Sequence, residues 1–344
     1  MKGNVNMTKI INFEKETIDD AAHALNRGKL VIFPTETVYG IGANATNEEA
    51  VKNIFFAKGR ASDNPLIVHV ADKTEIYNVV KAINYIEQKL IDNFMPGPFT
   101  LILPKKDIIG NYVSAGLDTI GVRIPDSIIA STLIKQAGCP VAAPSANISG
   151  RPSGTRVEDI VDEFHNKVDY IIDGGQTDVG IESTVVKVIN NIPVILRPGK
   201  VTYEDIIKVI GVCKLDENIF KKASDVVLSP GMKYKHYAPN ANCLLISSSD
   251  NETLIKEVNE QVIDNTIVIG FKELKDKIKC SEYYIHGSIN NIDEISHNIF
   301  KLLRITDKKN PNLIIIMGVS KKGLGLALMN RLIRSCSYNF IELI

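Results

Sequence analysis

The sequence predicts an α/β protein of two units. The first is a mixed, strongly twisted sheet that forms a cavity with helices outside it. The second is a smaller α/β domain of Rossmann or flavodoxin type. Three observations lead there. The chain has 344 residues, more than one typical core accommodates. Its first two hundred or so residues alternate apolar, strand-like runs with helical patterns, and the strands with their Gly/Pro turns outnumber the helices. From about Gly211 to Asn240 this pattern fails, and strand–helix alternation resumes beyond it. The expected divisions are 1–210, a linker over 211–240, and 241–344.

Taken in order, Thr17 reads as the cap of a helix through Asn26, with Asp20 as its capping-box partner and Gly28 as the stop. Residues 30–33 form a buried strand that delivers a loop containing Thr37 and Tyr39. Asn47 caps a second helix whose apolar face is Ala50, Val51, Ile54 and Phe55; Lys58 falls in its last turn and Gly59 ends it. Further strands are expected at 66–70, 100–103, 121–124, 141–143, 170–172, 183–188 and 194–196. Several are apolar throughout, as strands covered on both faces are. In the second unit, 243–246, 266–269 and 313–317 read as strands, and 253–262, 295–303 and 324–334 as helices. Gly318-Val-Ser-Lys-Lys-Gly323 lies where a phosphate loop would, but Leu324 stands where such a loop needs lysine, so it reads as an ordinary strand–helix connection.

Composition narrows the function. Hydrophobic residues at 44% and charged residues at 23% describe an ordinary globular chain. Forty basic residues against forty acidic ones leave no global field to hold nucleic acid. No apolar run approaches the roughly 20 residues of a bilayer helix, and the first residues lack a secretion signal's apolar core. A cytoplasmic location is therefore expected. The five cysteines are scattered without metal-like spacing, so reduced thiols are expected, Cys139 among them as a buried, inert one.

Two short segments carry the chemistry. Lys58-Gly59-Arg60 places two cations beside a helix end, and Ser145-Ala146-Asn147 places a hydroxyl and an amide in a turn after an apolar strand. Such a set can hold a polyphosphate without a Walker-type loop, the cations supplying charge and Ser and Asn supplying orientation. Arg123, inside the apolar run 121–125, needs an anion or a carboxylate partner, and a substrate carboxylate is the expected one.

With Pro34-Thr-Glu-Thr-Val-Tyr-Gly40, Asn64-Pro-Leu-Ile-Val-His69 and Pro144-Ser-Ala-Asn-Ile-Ser-Gly150, these segments resemble the YrdC-type threonylcarbamoyl-adenylate synthases, in the long form with an added C-terminal domain. The resemblance implies a YrdC-like first unit and a nucleotidyltransferase reaction. L-Threonine, bicarbonate and ATP would give threonylcarbamoyl-AMP and pyrophosphate, for threonylcarbamoyladenosine modification of tRNA next to the anticodon. It also implies roles. Lys58, Arg60, Ser145 and Asn147 would be catalytic and bind ATP together with Asn64, Thr119, Arg197 and a linker tyrosine, Tyr234 or Tyr237. Thr37, His69, Arg123, Ala143 and Ser183 would bind threonine. Ala61 stands where many relatives have proline, which changes loop stiffness rather than chemistry. The linker, with Tyr234, His236 and Tyr237, resembles a lid over the nucleotide. Mg²⁺ is expected through ATP, since no carboxylate cluster forms a cage. The expected partner is a downstream tRNA threonylcarbamoyl transferase complex, with no membrane and no stable nucleic-acid binding required.

Two other readings stand beside this one. A double-stranded RNA-binding module would show steep salt dependence. A carbamoyl-transfer domain of hydrogenase-maturation type shares the K-x-R…S-x-N pattern but comes with an acylphosphatase segment and zinc-binding cysteines, which this chain lacks.

Overall fold

The structure, a computed structural model, describes residues 7–221 and 237–343. The first unit runs β1 (Lys9–Asn12), α1 (Lys15–Asn26), β2 (Val31–Pro34), β3 (Tyr39–Asn44), α2 (Glu48–Lys58), β4 (Ile67–His69), α3 (Lys73–Val79) and α4 (Tyr85–Phe94). It continues through β5 (Phe99–Pro104), α5 (Asn111–Ser114), β6 (Thr119–Arg123), α6 (Ile128–Ala137), β7 (Val141–Ala142) and α7 (Val157–Phe164). It ends with β8 (Tyr170–Asp173), β9 (Thr184–Ile189), β10 (Ile192–Arg197), α8 (Tyr203–Ile210) and β11 (Lys214–Leu215). Among the described residues these strands make one mixed sheet, ordered β1-β8-β2-β3-β7-β4-β6-β5-β9-β10-β11.

Three pairings in this sheet build the site. Antiparallel β2 and β3 close with Pro34 opposite Tyr39, which leaves 35–38 as a buried turn between them. Parallel β4 and β6 set His69 beside Arg123 in register. Antiparallel β9 and β10 bring Arg197 opposite Val185, two residues from Ser183. Local signals explain how α2 delivers the next residue: the Asn47 side chain accepts from the Ala50 N–H at 3.1 Å, and Gly59, at φ 58°, turns the chain out of the helix toward Arg60.

The second unit runs β12 (Cys243–Ser248), α9 (Asn251–Gln261), β13 (Thr266–Phe271), β14 (Glu282–Gly287), α10 (Ile292–Asp307), β15 (Leu313–Met317), α11 (Leu324–Ser335) and β16 (Phe340–Leu343). All its strand pairs are parallel, in the order β14-β13-β15-β12-β16, as the apolar runs of a doubly wound fold require. The 318–323 segment is the β15–α11 connection.

Some expectations need correction. Helix α1 begins at Lys15, not after a Thr17 cap: the Thr17 hydroxyl bonds back to the Asn12 and Glu14 carbonyls, and Glu14 is the cap residue. Strand β3 occupies part of what reads as a loop. Its Gly-rich sequence has weak strand propensity, but every residue in it is buried, and tertiary packing decides. Strands β1, β11, β14 and β16 were also not legible; each lies at the edge of its sheet, where the apolar signal is weak. The first sheet continues to Leu215, past the expected boundary at 210.

The two units share an interface that reaches the cavity walls. The second unit's apolar core takes in Val38, Ile181 and Tyr237. On α10, the Ser296 hydroxyl donates to the Val179 carbonyl at 2.7 Å, and Arg304 Nη1 meets Glu163 Oε1 at 2.8 Å. Glu163 Oε2 accepts from the Ile148 N–H at 2.6 Å, so α10 braces the loop that contains Asn147. Gly180 sits against α10 with φ 80°, and a Cβ there would lie 2.3 Å from the Ser296 carbonyl oxygen. Gly180→Ala is therefore expected to lower stability by roughly 2–5 kcal/mol, from left-handed strain plus overpacking. Urea unfolding measures this; a loss below about 0.5 kcal/mol would show that the interface yields there.

Candidate active site

One cavity, open at its mouth, lies where these pairings converge. One wall comes from β2–β3 and the 143–147 segment, another from β4 and β6, a third from β9–β10, and Tyr237 lines it from the linker's end. Thr37, Arg60, His69, Arg123, Ala143, Ser145, Asn147, Ser183, Arg197 and Tyr237, expected from sequence, all line it.

Lys58 does not line it. The ammonium donates to the carbonyls of Ser145 and of Asn147 (2.8 Å for the latter) and lies 3.4 Å from Asn147 Oδ1. Its side chain is buried, so it holds the 145–147 turn rather than reaching a phosphate directly. Burial, with Arg60 adding, pushes its pKa well below the ordinary lysine value, while the Glu163 and Glu182 charges oppose that push. The turn is further tied by Ser145 Oγ to Asn147 Oδ1 at 2.6 Å and by Asn147 Nδ2 to the Ile148 and Arg151 carbonyls. Arg60 Nη2 donates to the Asn64 and Pro65 carbonyls at 3.2 and 3.3 Å, which orients the guanidinium at the cavity wall. The Asn64 side chain is buried with both polar atoms lacking a hydrogen-bond partner among the described residues, but it does not line the cavity.

On the opposite wall, His69 Nδ1 is likewise buried without a partner. Burial, then the Arg123 charge, pushes its pKa down to about 3, so the imidazole is neutral at working pH. The unfolded imidazole takes a proton near 6.5, so below that pH the unfolded chain binds a proton that the folded chain refuses. Stability is therefore lost as pH falls from about 6.5 toward 3. His69→Gln should flatten the pH dependence of Tm between pH 6.5 and about 4 relative to the unaltered chain. An unchanged slope would mean that His69 is protonated in the folded state.

Arg123 has a partner inside the protein: its Nη2 lies 2.6 Å from Glu36 Oε1, both side chains buried, and its Nε donates to the Gly97 carbonyl at 3.2 Å. The expected lone guanidinium for a substrate carboxylate is therefore a paired one. Thr37 Oγ1 is 2.7 Å from Thr35 Oγ1, which donates to the Val38 carbonyl, so the two hydroxyls form one chain at the wall. Ser183 Oγ lies 2.8 Å from Thr100 Oγ1. Arg197 donates to the Ser183 carbonyl from Nε and Nη2 and to Ser183 Oγ at 3.1 Å; it is buried, and burial pushes its pKa down to about 10. Thr119 is not brought in. It opens β6 at the far end from Arg123, about 13 Å along the strand, and pairs with Pro104.

Of the linker tyrosines, Tyr237 reaches the cavity. It stacks on Phe300 of α10 at 5.2 Å and takes φ 62°, a left-handed conformation that costs roughly 1–2 kcal/mol and that this packing supports. Tyr234 and His236 lie outside the described residues. Cys139 is half-buried, with burial raising its thiol to about 11, as an inert thiol requires.

Sequence reasoning missed Thr35, Glu36 and Glu182. The first and last line the cavity, and Glu36 neutralises Arg123. The usable signal was a carboxylate within the 34–40 segment facing an arginine in an apolar strand, but only the fold shows that they meet. Among the described residues no group of three or more His, Cys, Asp or Glu could hold a metal ion, and no helix is long and apolar enough to cross a membrane.

Comparison with known proteins agrees with this geometry. Residues 23–199 match a family described as telomere recombination, which groups Sua5, YciO and YrdC, and residues 201–337 match one described as the C-terminal domain of threonylcarbamoyl-AMP synthase. The chain is 42% identical to a threonylcarbamoyl-AMP synthase of Pyrococcus abyssi over 98% of its own length and 100% of the relative's. It is 39% identical to one of Bacillus subtilis, with 98% of both chains covered. It superposes with a TM-score of 0.93 on the crystal structure of P. abyssi Sua5 complexed with L-threonine, at 41% identity over 98% of this chain and 100% of that one. Alike along its whole length and in both units, the chain belongs to the threonylcarbamoyl-AMP synthase family.

Proposed function

We propose that this cavity joins L-threonine, bicarbonate and MgATP into threonylcarbamoyl-AMP and pyrophosphate. One observation carries the reading: Arg60 and the 145–147 turn line the same hollow as Thr37, His69 and Ser183, although they lie far apart in sequence. Charge fits as well. Among the described lining residues, Arg60, Arg123 and Arg197 are cationic and Glu182 is anionic, a net positive wall that suits an anionic ligand.

The chemistry needs no protein nucleophile. The neutral amine of threonine attacks the carboxyl carbon of bicarbonate, or of the carbon dioxide it yields, and water leaves. A carboxylate oxygen of the resulting carbamate attacks the α-phosphorus of ATP, and pyrophosphate departs with the electron pair of the broken P–O bond. The chain supplies position, cations and a sheltered volume. His69 and Ser183, with the Thr35–Thr37 hydroxyls, hold the amino acid. The neutral imidazole accepts from it without adding a charge. Arg60 lies against the phosphates, the 145–147 turn orients them under the hold of Lys58, and Arg197 adds a further cation. Tyr237 closes the hollow from the linker side. Mg²⁺ enters with ATP as part of the substrate, held by phosphate oxygens and water, because Glu182, the one carboxylate among the described lining residues, is already held by Arg331 and Ser153. The product would pass to a cytoplasmic transferase that modifies the tRNA adenosine next to the anticodon.

Omitting each substrate in turn tests the reading. Pyrophosphate release is expected to require threonine, bicarbonate and MgATP together. Release that is indifferent to threonine or to bicarbonate would overturn it.

A further inference from the structure

Arg331 heads the largest fully buried side chains of the described residues, and it belongs to α11, outside the sheet that forms the cavity. Its place continues the apolar stripe of Leu324, Ala327 and Leu328 at helical spacing, so the fold directs it inward. It does not end in the second unit's own core. Nε donates to Glu182 Oε2 at 3.0 Å, Nη1 donates to the Pro198 carbonyl at 2.7 Å, and Nη2 lies 3.4 Å from the Glu182 carbonyl. The guanidinium also sits 5.8 Å from the centre of the Tyr237 ring. The other oxygen of Glu182 accepts from the Ser153 hydroxyl.

The two gripped residues bracket the site. Glu182 precedes Ser183, Pro198 follows Arg197, and Arg197 is itself bonded to the Ser183 carbonyl and hydroxyl. One rigid fork from the second unit thus ties the start of β9 to the end of β10 where both strands meet the cavity wall. A buried ion pair is a poor source of stability, because desolvation offsets much of its attraction. Its fixed geometry is what it contributes.

We infer that Arg331 is a positioning residue for the threonine-binding wall, supplied to the site by the second unit through Glu182 and Pro198. This inference rests on the assignment of Ser183 to the amino acid made above. It gives the second unit a part in substrate binding in addition to covering the first. A purely structural Arg331 would change the fraction of folded, active enzyme and leave the threonine KM alone. A positioning Arg331 sets that KM.

The test uses the full chain with R331K and, separately, E182Q, each followed by pyrophosphate release and by melting. Lysine keeps the charge but cannot hold two oxygens in a fork, whereas glutamine keeps the shape and loses the counter-charge. In both, the KM for L-threonine is expected to rise at least about tenfold, a loss of about 1.4 kcal/mol. The KM for ATP should rise less than the KM for L-threonine, because only Arg197 shares the Arg331 brace, whereas Lys58 and the Arg60 carbonyl contacts hold the rest of the phosphate side. A threonine KM within twofold of the unaltered enzyme, in either variant that melts cooperatively, would overturn the inference whatever happens to kcat. The unaltered enzyme run alongside separates the two levels. Threonine-independent release there would sink the functional reading and this inference with it, whereas threonine-dependent release with unmoved variants would sink the inference alone.

Discussion

Replacing Arg60 with alanine is expected to slow pyrophosphate release by about 10²–10³-fold while the melting curve stays nearly in place. The size follows from where charge develops. As the bond to the α-phosphorus breaks, negative charge grows on the departing pyrophosphate, and a cation already oriented there stabilises it without reorganisation. Arg60 is so oriented: Gly59 ends the helix behind it, and the Asn64 and Pro65 carbonyls fix its Nη2. The small effect on stability follows because Arg60 is half-buried at the cavity rim, where a hydrogen bond is worth about 1 kcal/mol net. Arg60→Lys keeps the charge but loses the fork, so about a tenfold loss is expected. The comparison is made in steady-state release assays at saturating substrates. Turnover near that of the unaltered enzyme in Arg60→Ala would remove this residue from the phosphate site.

Lys58→Ala should do a different kind of damage. Here a buried ammonium bonds the carbonyls of Ser145 and Asn147, and its loss leaves both acceptors without it in a dry place and opens a cavity. Together these cost about 3–5 kcal/mol of stability, and activity should fall at least about 10²-fold because the 145–147 turn loses its anchor. Lys58→Met separates the causes. It refills most of the volume, so stability should recover in part while activity stays low, since the acceptors still have no donor. Chemical unfolding and release assays on the pair measure this. A Lys58→Ala enzyme as stable as the parent but inactive would return Lys58 to the role of a direct phosphate clamp.

These two residues also show how much could be read before any coordinates. Lys58, Gly59 and Arg60 are legible as a helix end with two cations, because Asn47 capping and Gly59 termination are local signals that the fold respects. Which cation faces the substrate is not local. It depends on the 145–147 turn approaching α2 from 87 residues away, and that contact takes Lys58 out of the cavity wall. The same limit hid the Glu36–Arg123 pair, which exists only because the β2–β3 turn folds over β6. Thr119 differs in another way. Its sequence neighbourhood matches a nucleotide contact, but strand geometry sets it at the end of β6 away from Arg123, outside the cavity lining. Arg331 was the one missed residue with a local signal, an arginine at a core position of an amphipathic helix. Most central strands, β3 apart, and the longest helices were plain in the apolar periodicity, whereas edge strands such as β1 and β16 bury too little to leave a pattern.

A crystal structure of the full chain with L-threonine and a non-hydrolysable ATP analogue tests the central claim most directly. The triphosphate is expected against Arg60 and the 145–147 turn, with the amino acid beside His69 and Ser183 in the same hollow. Density for either ligand on another surface, or for the two in separate cavities, would contradict it.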